Sequence, residues 1–378
     1  MTAKIVLLGA TGYTGARTAE AMTRRGLRPV LAGRNPAKLA SVAERLGGLP
    51  TAQADSSDPA SVRALIERGD VLVSTVGPFT ERGAAAVSAA AEAGAVYFDS
   101  TGEPPFIREV YERYGPVAEG TGAALLTAFG NDYVPGTLAG GLALREAGAT
   151  TTAVDTGYFI AGGRGQGFSK GTLNSLLGVL LEPMYRWSDG ALHTEPAARR
   201  FRTFRVGGKD RPAITVGATE QFALPRFAAT GVAPSLRDVD AYLGWFGPAS
   251  RAVHLSSRIT PLIARTPPLA KALLGLGGLV TSRASDEPDA AGLAATTSYF
   301  TGEARDASGR VLSSVVLSSP DAYAITADLL AWAAGYAAEH GVTGVGALDP
   351  ISAFGLDTLR DGAAEAGIVP VGGPVRQG

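Results

Sequence analysis

A glycine-rich turn near the amino terminus constrains the fold of this chain more than any other segment. The turn is Gly9-Ala10-Thr11-Gly12-Tyr13-Thr14-Gly15, between the apolar run Ile5–Leu8 and a helical pattern over residues 16–25. In a strand–turn–helix unit, the first glycine permits the tight turn, the second lets the backbone approach a pyrophosphate, and the third lets the helix pack on the strand. The free amides at the helix start then hold the phosphates. The turn predicts a dinucleotide site formed by Gly9, Thr11, Gly12, Tyr13, Thr14 and Gly15.

The spacing of these glycines, G-x-x-G-x-x-G, is a variant of the usual G-x-G-x-x-G. The alternative interpretation is therefore a glycine-rich turn in some other α/β protein. The strand before the turn and the helix after it favour dinucleotide binding.

Composition excludes several classes of function. The formal net charge of -1 gives no sign of a nucleic-acid partner or an anionic membrane surface. The chain has no cysteine, which excludes disulfides, cysteine nucleophiles and cysteine metal sites. Its histidines, His193, His254 and His340, are far apart and form no H-E-x-x-H pattern, so we expect no metal.

No segment of the sequence predicts export or membrane insertion. The amino terminus leads directly into a strand, so we expect no signal peptide and a cytoplasmic location. The most apolar later stretch, residues 262–280, is interrupted by Arg265, Pro267, Pro268 and Lys271, which argues against a membrane span. This stretch is either a shield for a lipid-like chain or the surface of a homodimer.

Residues 1–130 alternate apolar strands with helices, and 378 residues suit about two domains. The pattern predicts an α/β fold with a Rossmann-type, doubly wound parallel sheet that is buried on both faces. The predicted strands are 4–8, 28–32, 51–54, 71–75, 96–99 and 123–127, and the predicted helices are 16–25, 36–46, 59–68, 83–93 and 106–114.

A basic residue at the end of the second strand indicates which cofactor binds. NAD-selective folds place Asp or Glu there to hold the ribose 2′-hydroxyl, whereas this chain has Arg34, followed by Asn35. A guanidinium can pair with a 2′-phosphate and stack on adenine, so the sequence favours NADP(H), with Lys38 adding charge. Asp55, after the third strand, either bonds the adenine amino group or caps a helix.

The carboxyl ends of parallel strands line the ligand crevice of a doubly wound sheet. The loop after the fourth strand, Ser74-Thr75-Val76-Gly77-Pro78, should therefore run along the cofactor toward the nicotinamide ribose. On the same rim, Asp99 and Glu103 follow the next strand. They either orient the substrate and nicotinamide or cap the following helix.

Beyond residue 130 the pattern changes to strands joined by tight turns. We expect a second α+β domain with a mixed or antiparallel sheet over residues 131–320, and C-terminal helices over 321–378 that return to the nucleotide domain. The glycine-rich loop 162–167 is either a lid or a plain surface loop. The predicted helices are 136–146, 172–181, 322–340 and 356–366, and the predicted strands are 153–160, 201–206, 213–216, 239–243 and a hairpin of 293–304 with 311–317.

These motifs together resemble the saccharopine dehydrogenase-like oxidoreductases, and within them the group of trans-acting enoyl reductases. Four segments carry most of the likeness: residues 9–15, residues 31–34, residues 71–79 with Ser-Thr-Val-Gly-Pro-Phe, and residues 97–103 with Asp-x-Thr-Gly-Glu. Shorter matches are residues 130–135, 170–172 with Ser175, 302–304, 321–323 with Thr326, 349–350 and 353–355.

The resemblance implies NADP(H)-dependent reduction of an activated double bond, with hydride delivered across a crevice between the domains. It also implies a nucleotide domain interrupted by a sheet domain. Saccharopine reductases bind a multiply charged amino-acid adduct, whereas the cations expected near this cleft are mainly Arg164 and Lys170. That difference favours a less charged, more hydrophobic small-molecule substrate.

Hydride transfer also needs a proton source. The Tyr-x-x-x-Lys pair of short-chain reductases is absent from the sequence. The candidate donors are Tyr133, at the domain junction, Lys170, beside the glycine loop, and Tyr158, and water is a further possible source. Asp99 is a catalytic candidate because, with Glu103, it would supply an acidic pair for an iminium.

Three functions remain open from the sequence. The first is an NADP-dependent reductase of an α,β-unsaturated thioester or a similar C=C bond, in lipid or secondary metabolism. The second is a C=N reductase of the same architecture. The third is a dinucleotide-binding sensor or scaffold, which would bind NADP(H) without consuming it.

Overall fold

Backbone contacts divide the chain into two units. The computed structural model of the protein describes residues 3–162, 182–257 and 296–371. The first unit comprises Met1–Val134 with Ala322–Gly367, and the second comprises Pro135–Asp321 with Ile368–Gly378. The chain thus leaves the first unit, builds the second and then returns to the first.

The first unit is built on a parallel sheet of seven strands. They are β1 (Ile5–Leu8), β2 (Val30–Gly33), β3 (Thr51–Gln53), β4 (Val71–Ser74), β5 (Val96–Asp99), β6 (Ala124–Leu126) and, near the C terminus, β15 (Gly346–Ala347). The order across the sheet is β15-β6-β5-β4-β1-β2-β3, and every neighbouring pair is parallel. Every residue of β1 and β4 is buried. This topology confirms the predicted Rossmann-type fold and adds β15, a strand that the sequence did not predict.

The helices of the first unit connect these strands. They are α1 (Tyr13–Arg24), α2 (Pro36–Arg45), α3 (Pro59–Arg63), α4 (Phe79–Arg82), α5 (Ala84–Ala93), α6 (Pro104–Glu109) with a π-helical turn at Val110–Tyr114, α7 (Gly115–Thr121), α11 (Ala322–His340), α12 (Pro350–Phe354) and α13 (Leu356–Glu365).

Two of these helices differ from the predicted bounds. α1 begins at Tyr13 rather than at residue 16, which places its first turn directly after Gly12. α3 ends at Arg63 rather than at residue 68. The Arg63 side chain donates to the carbonyl of Ile66 at 2.9 Å, so a side-chain bond takes up a carbonyl just past the helix end.

The C-terminal return completes the core of the first unit. The ring of Trp332, on α11, lies 4.9 Å from that of Phe354, on α12, and Phe129 lies 5.7 Å from Phe354. A Cβ on Gly362 of α13 would lie 2.0 Å from the Trp332 ring, so the absence of a side chain there allows α13 to pack closely. Aromatic packing of this kind contributes beyond simple area burial.

The second unit contains a mixed sheet of nine strands. They are β7 (Ala153–Gly162), β8 (Pro183–Ser188), β9 (Ala191–Pro196), β10 (Phe201–Val206), β11 (Lys209–Val216), β12 (Asp238–Leu243), β13 (Thr296–Arg305), β14 (Val311–Ser319) and β16 (Val369–Pro370). The main order is β10-β11-β12-β7-β13-β14-β16, with β8 paired to β12 and to β9. Among the described pairs only β7 and β12 run parallel. The predicted α+β class and the β13–β14 hairpin are confirmed.

The described helices of the second unit pack on its sheet and on one another. They include α8 (Val134–Ala147), α9 (Glu220–Phe227) and α10 (Ser250–Ser256). A Cβ on Gly302 of β13 would lie 2.4 Å from Ala139 of α8, and one on Gly140 of α8 would lie 2.6 Å from Leu224 of α9. The two glycines therefore allow the close approach of helix to strand and of helix to helix. The sequence did not predict α9, which contains Pro225, and the predicted helix 172–181 lies outside the described residues.

The end of the chain departs from the expected return. Residues 321–378 were predicted to join the nucleotide domain as a whole, but β16 pairs antiparallel with β14 of the second unit. Val371 donates to the carbonyl of Val316 at 2.9 Å, extending that pairing. Pro370 lacks a backbone N–H, which suits a short strand at a sheet edge. In the described ranges, no helix has the length and apolar character to cross a bilayer.

Candidate functional site

The three glycines of the amino-terminal turn have three different surroundings. Gly9 has φ +90°, and a Cβ there would lie 2.8 Å from Thr75 Oγ1. A Cβ on Gly15 would lie 2.1 Å from the carbonyl oxygen of Gly9, closer than real Cβ atoms approach. At Gly12 the nearest atom to a Cβ is the same oxygen at 3.4 Å, an ordinary contact. Gly9 and Gly15 are thus required by the fold, whereas the fold has room for a side chain at Gly12.

A cavity of about 840 Å³ opens at this turn. Its volume is in the range of about 300–1,000 Å³ that small-molecule sites occupy. It is lined by Leu8, Gly9, Thr11, Gly12, Gly33, Arg34, Asn35, Pro36, Ala37, Lys38, Ala54, Ser56, Thr75, Val76, Gly77 and Arg82. These residues follow β1, β2, β3 and β4, so the cavity lies at the carboxyl ends of neighbouring parallel strands, where doubly wound sheets bind ligands.

The charged residues that line this cavity are all cations. Arg34, Lys38 and Arg82 are exposed, and none of them forms an ion pair with another described residue. No carboxylate is among the described lining residues. Three unpaired cations around one cavity, together with the amides at the start of α1, fit a ligand that carries several phosphate charges.

Several residues predicted to bind the cofactor do not line the cavity. Tyr13 instead packs edge-on against the ring of Tyr323 at 5.3 Å, and Ser74 is fully buried at the end of β4. Gly15 packs α1 on the turn, as described above. Asp55 bonds the chain beyond it, since its Oδ1 accepts from the Ser57 amide at 2.9 Å. The predicted residues outside the lining are Tyr13, Thr14, Gly15, Asp55, Ser74 and Pro78.

Asn35 lines the cavity, but its side-chain oxygen is the N-terminal cap of α2. It caps α2 by accepting from the Lys38 amide at 3.0 Å. This cap fixes the first turn of α2, from which Lys38 reaches the cavity. Arg82 is a cavity residue that sequence reasoning missed. The available signal was its position four residues beyond Pro78, the last residue of the loop expected to meet the cofactor.

Glu103 caps a helix, but one that precedes it in the chain rather than the following helix considered from the sequence. It is largely buried, and both of its carboxylate oxygens accept hydrogen bonds from the start of α4. Oε1 accepts from the Phe79 amide at 2.9 Å, and Oε2 accepts from the Thr80 amide at 2.9 Å and from the Thr80 hydroxyl at 2.7 Å. Glu103 is therefore a cap for α4, and its oxygens are committed to that helix.

Asp99 is also committed to the protein rather than to a ligand. It is fully buried, and Oδ1 accepts from the amides of Thr101 and Ala128, both at 2.9 Å, while Oδ2 accepts from the Thr127 hydroxyl at 2.7 Å. Burial raises the pKa of Asp99 to about 6, against the lowering effect of these donors. The structure thus argues against direct catalysis by Asp99 and for a role in holding the loops after β5 and β6.

The loop after β6 contains unusual backbone geometry. Tyr133 and Ala128 have φ of +79° and +57°, a region that side chains with a Cβ rarely adopt. The loop is held by Asp99 at one end and, at Asn131, by a bond from its amide to Thr326 Oγ1 at 3.0 Å. Such conformations persist only where the surroundings impose them, and they cluster at functional sites.

Asp132 is the acidic group that this loop presents. Its side chain is partly exposed, and Asn131 Nδ2 donates to Oδ1 at 3.4 Å. Burial raises the pKa of Asp132 to about 6. A Cβ on Gly102 would lie 2.9 Å from Oδ2, so Gly102 makes room for this carboxylate. Tyr133 is buried beside it, with its hydroxyl 3.4 Å from the Gly102 carbonyl. Sequence reasoning named Tyr133 but missed Asp132.

The other predicted donors lie elsewhere. Lys170 and Arg164 fall outside the described residues. Tyr158, in the second unit, is buried, and its hydroxyl donates to Glu220 Oε1 in a very short hydrogen bond. Thr156 also donates to that oxygen, at 3.0 Å. Tyr158 therefore belongs to a polar cluster in the core of the second unit.

Comparison with known proteins finds a family match within the first unit. Residues 5–125 match the family model of the saccharopine dehydrogenase NADP binding domain. A protein of Mycobacterium tuberculosis that carries the provisional name trans-acting enoyl reductase is 42% identical over 185 residues, which are 47% of this chain and 44% of that protein. A trans-acting enoyl reductase of Mycobacterium ulcerans is 40% identical over 141 residues, which are 36% of this chain and 34% of that protein. The chain thus aligns with less than half the length of these curated relatives.

A solved structure matches the fold of almost the whole chain. Saccharopine dehydrogenase (L-Glu forming) from Saccharomyces cerevisiae superposes with a TM-score of 0.58 at 14% identity, covering 99% of this chain and 100% of that one. At this identity the match concerns the fold alone. Together the comparisons confirm the predicted family resemblance and NADP(H) as the cofactor of the first unit, and they support the predicted oxidoreductase class.

Proposed function

Because residues 5–125 match the family model of the saccharopine dehydrogenase NADP binding domain, we propose that the chain is an NADP(H)-dependent reductase of an activated C=C bond. The proposed substrate is an enoyl thioester or a related hydrophobic α,β-unsaturated compound. The reaction type is supported by the mycobacterial relatives that are named trans-acting enoyl reductases.

The cavity at the glycine turn is the observation that carries this proposal. Its open Gly12 leaves the backbone accessible to a pyrophosphate, and Arg34, Lys38 and Arg82 provide charge for the phosphates. Residues of this kind fit NADP(H), whose 2′-phosphate needs a cation where NAD-selective sites place a carboxylate.

When bound, NADPH supplies the hydride for the β-carbon of the unsaturated substrate. The enolate that results then needs a proton at the α-carbon. We assign this proton to the loop after β6, where Asp132 is partly exposed and has a pKa of about 6. The buried Tyr133 beside it remains the second candidate. Asp99 holds the loop in place and does not itself touch the substrate.

A C=N reductase of the same architecture is the alternative function, and the match of residues 5–125 to the saccharopine dehydrogenase NADP binding domain is what favours it. The acidic pair considered for an iminium was Asp99 with Glu103. Because both carboxylates are committed to backbone amides, Asp132 would have to serve instead.

Consumption of NADPH against a panel of acceptors tests the proposal. The panel contains an enoyl thioester, an enone, a cyclic imine, and a keto acid with an amine. Turnover with the first two supports C=C reduction, whereas turnover with only the imine-forming acceptors supports the alternative. Tight NADPH binding without consumption of any acceptor would contradict both and favour a sensor or scaffold.

Variants of the loop after β6 then separate the two proton candidates. If Asp132 supplies the proton, Asp132→Asn lowers kcat on the reactive acceptor while Tyr133→Phe leaves kcat close to that of the wild type. General acids contribute about 10²–10⁴-fold, which sets the size of the expected loss. An unchanged kcat in Asp132→Asn would contradict the assignment.

A further inference from the structure

Arg82 lines the cofactor cavity, but it belongs neither to the glycine turn nor to the position after β2 where such folds select the cofactor. It is the last residue of α4, and its exposed side chain lines the cavity together with Arg34 and Lys38. In the sheet, β2 and β4 lie on either side of β1. Arg34 follows β2 and Arg82 follows β4, so the two guanidinium groups approach the glycine turn from opposite sides.

The charge of Arg82 acts on a residue after β3, which β1 and β2 separate in the sheet from β4, the strand that Arg82 follows. Asp55 follows β3, on the far side of β2. The pKa of Asp55 is lowered, mainly by hydrogen bonds from Ser57 and in addition by the charges of Arg34 and Arg82. Arg82 and Arg34 therefore act on the same carboxylate, and both line the cavity that is also lined by Ala54 and Ser56, the residues on either side of Asp55.

The base from which Arg82 projects is firmly held. Glu103 accepts three hydrogen bonds from the first two residues of α4, at 2.7–2.9 Å. Behind the helix, a Cβ on Gly83 would lie 2.5 Å from the Phe106 ring, so α4 packs tightly on α6. The cap and this packing hold the backbone of α4, from which the Arg82 side chain projects.

From this placement we propose that Arg82 is a second selectivity residue for the 2′-phosphate of NADP(H), which it contacts opposite Arg34. The inference rests on the proposed NADP(H)-dependent function and adds a residue to the cofactor site. A guanidinium is suited to the contact because it can donate two parallel hydrogen bonds to a phosphate. Glu103 is then a positioning residue that acts through α4.

The test is a comparison of affinities for two pairs of ligands. Dissociation constants of NADPH and NADH, and of 2′,5′-ADP and 5′-AMP, are measured by calorimetry for the wild type and Arg82→Gln. Arg360→Gln serves as the control, because Arg360 is an exposed arginine of the first unit that pairs with Asp357 and Asp361 away from the cavity.

We expect Arg82→Gln to weaken NADPH and 2′,5′-ADP by about 10- to 100-fold, the effect of losing one charge-assisted hydrogen bond. Affinities for NADH and 5′-AMP should stay close to those of the wild type, and Arg360→Gln should change none of the four. Equal losses for NADPH and NADH would place Arg82 at the pyrophosphate and overturn the inference. Unchanged affinities for all four ligands would also overturn it.

A second variant tests the positioning of α4. Glu103→Gln keeps one acceptor oxygen but loses the charge of the cap, so selectivity for NADPH over NADH should fall by less than in Arg82→Gln. If Glu103 were merely structural, both cofactors would weaken equally. None of these measurements requires turnover, so a failure of the C=C reductase proposal would show in the acceptor panel and leave these affinities unaffected.

Discussion

Glu220 should make the stability of the second unit depend on pH. Its side chain is fully buried between β7 and α9, and burial raises its pKa from 4.5 to about 7. The groups that face it are the hydroxyls of Tyr158, Thr156 and Thr219, and a Cβ on Gly136 of α8 would lie 2.5 Å from Oε1. Within the described ranges, no Lys, Arg or His pairs with this carboxyl.

The direction of the pH dependence follows from the raised pKa. Because the folded state holds the proton more tightly than the unfolded state, Glu220 favours folding fully below pH 4.5. That contribution is lost as the pH rises through about 7. A difference of 2.5 pKa units corresponds to about 3 kcal/mol of unfolding free energy between those limits.

Glu220→Gln removes the titration while retaining an oxygen that can accept from Tyr158. Urea unfolding of the wild type and this variant, followed at pH 5, 6, 7 and 8 by tryptophan fluorescence, measures the effect. Trp187 and Trp245 belong to the second unit and report on it. The difference in unfolding free energy between variant and wild type should shift in favour of the variant by about 2.5 kcal/mol between pH 5 and pH 8.

Other titrating groups cancel in this difference because both proteins contain them. Glu182→Gln, at an exposed position of the second unit, is the control and should follow the wild type at every pH. If the variant and the wild type keep the same pH dependence, Glu220 is not the group that titrates, and the reasoning from its burial is wrong.

Four further predictions concern the cofactor and reaction site. Gly12→Val should abolish NADPH binding in a protein that keeps the far-UV circular dichroism of the wild type. Gly15→Ala should instead lower the melting temperature, since its Cβ would meet the Gly9 carbonyl at 2.1 Å. Arg34→Ala should weaken NADPH far more than NADH in a calorimetric titration, and equal losses would refute its assignment to the 2′-phosphate. If protonated Asp132 is the donor, kcat should fall as the pH rises above about 6, and a pH–rate profile of Asp132→Asn should lack that limb.

Local patterns in the chain were enough to predict the class of fold. The apolar runs of β1, β2 and β4 alternate with helical patterns, and buried parallel strands require that kind of sequence. The glycine turn and Arg34 are likewise local signals, since each is recognised from the few residues around it. These signals sufficed for the Rossmann unit and its cofactor.

The structure changed the roles of the polar residues on the rim. Asp99 and Glu103 are carboxylates after a strand, and the sequence could not distinguish ligand contacts from caps. Their partners are Ala128, 29 residues away, and Phe79, 24 residues away, which only the folded sheet brings within hydrogen-bond distance. The same applies to β15, whose two residues form a strand only because β6 offers them a free edge.

The sequence by itself predicted that this chain folds around a dinucleotide-binding turn and that its cofactor is NADP(H), because each signal depends on residues close together in the chain. Only the tertiary structure decided which charges face the cavity. Arg82 reaches it because Glu103 caps α4, and Asp132 gains its raised pKa because the loop after β6 partly buries it. The burial of a carboxyl group and the meeting of distant cations at one cavity arise only when the chain is packed, so neighbouring residues in the sequence do not reveal them.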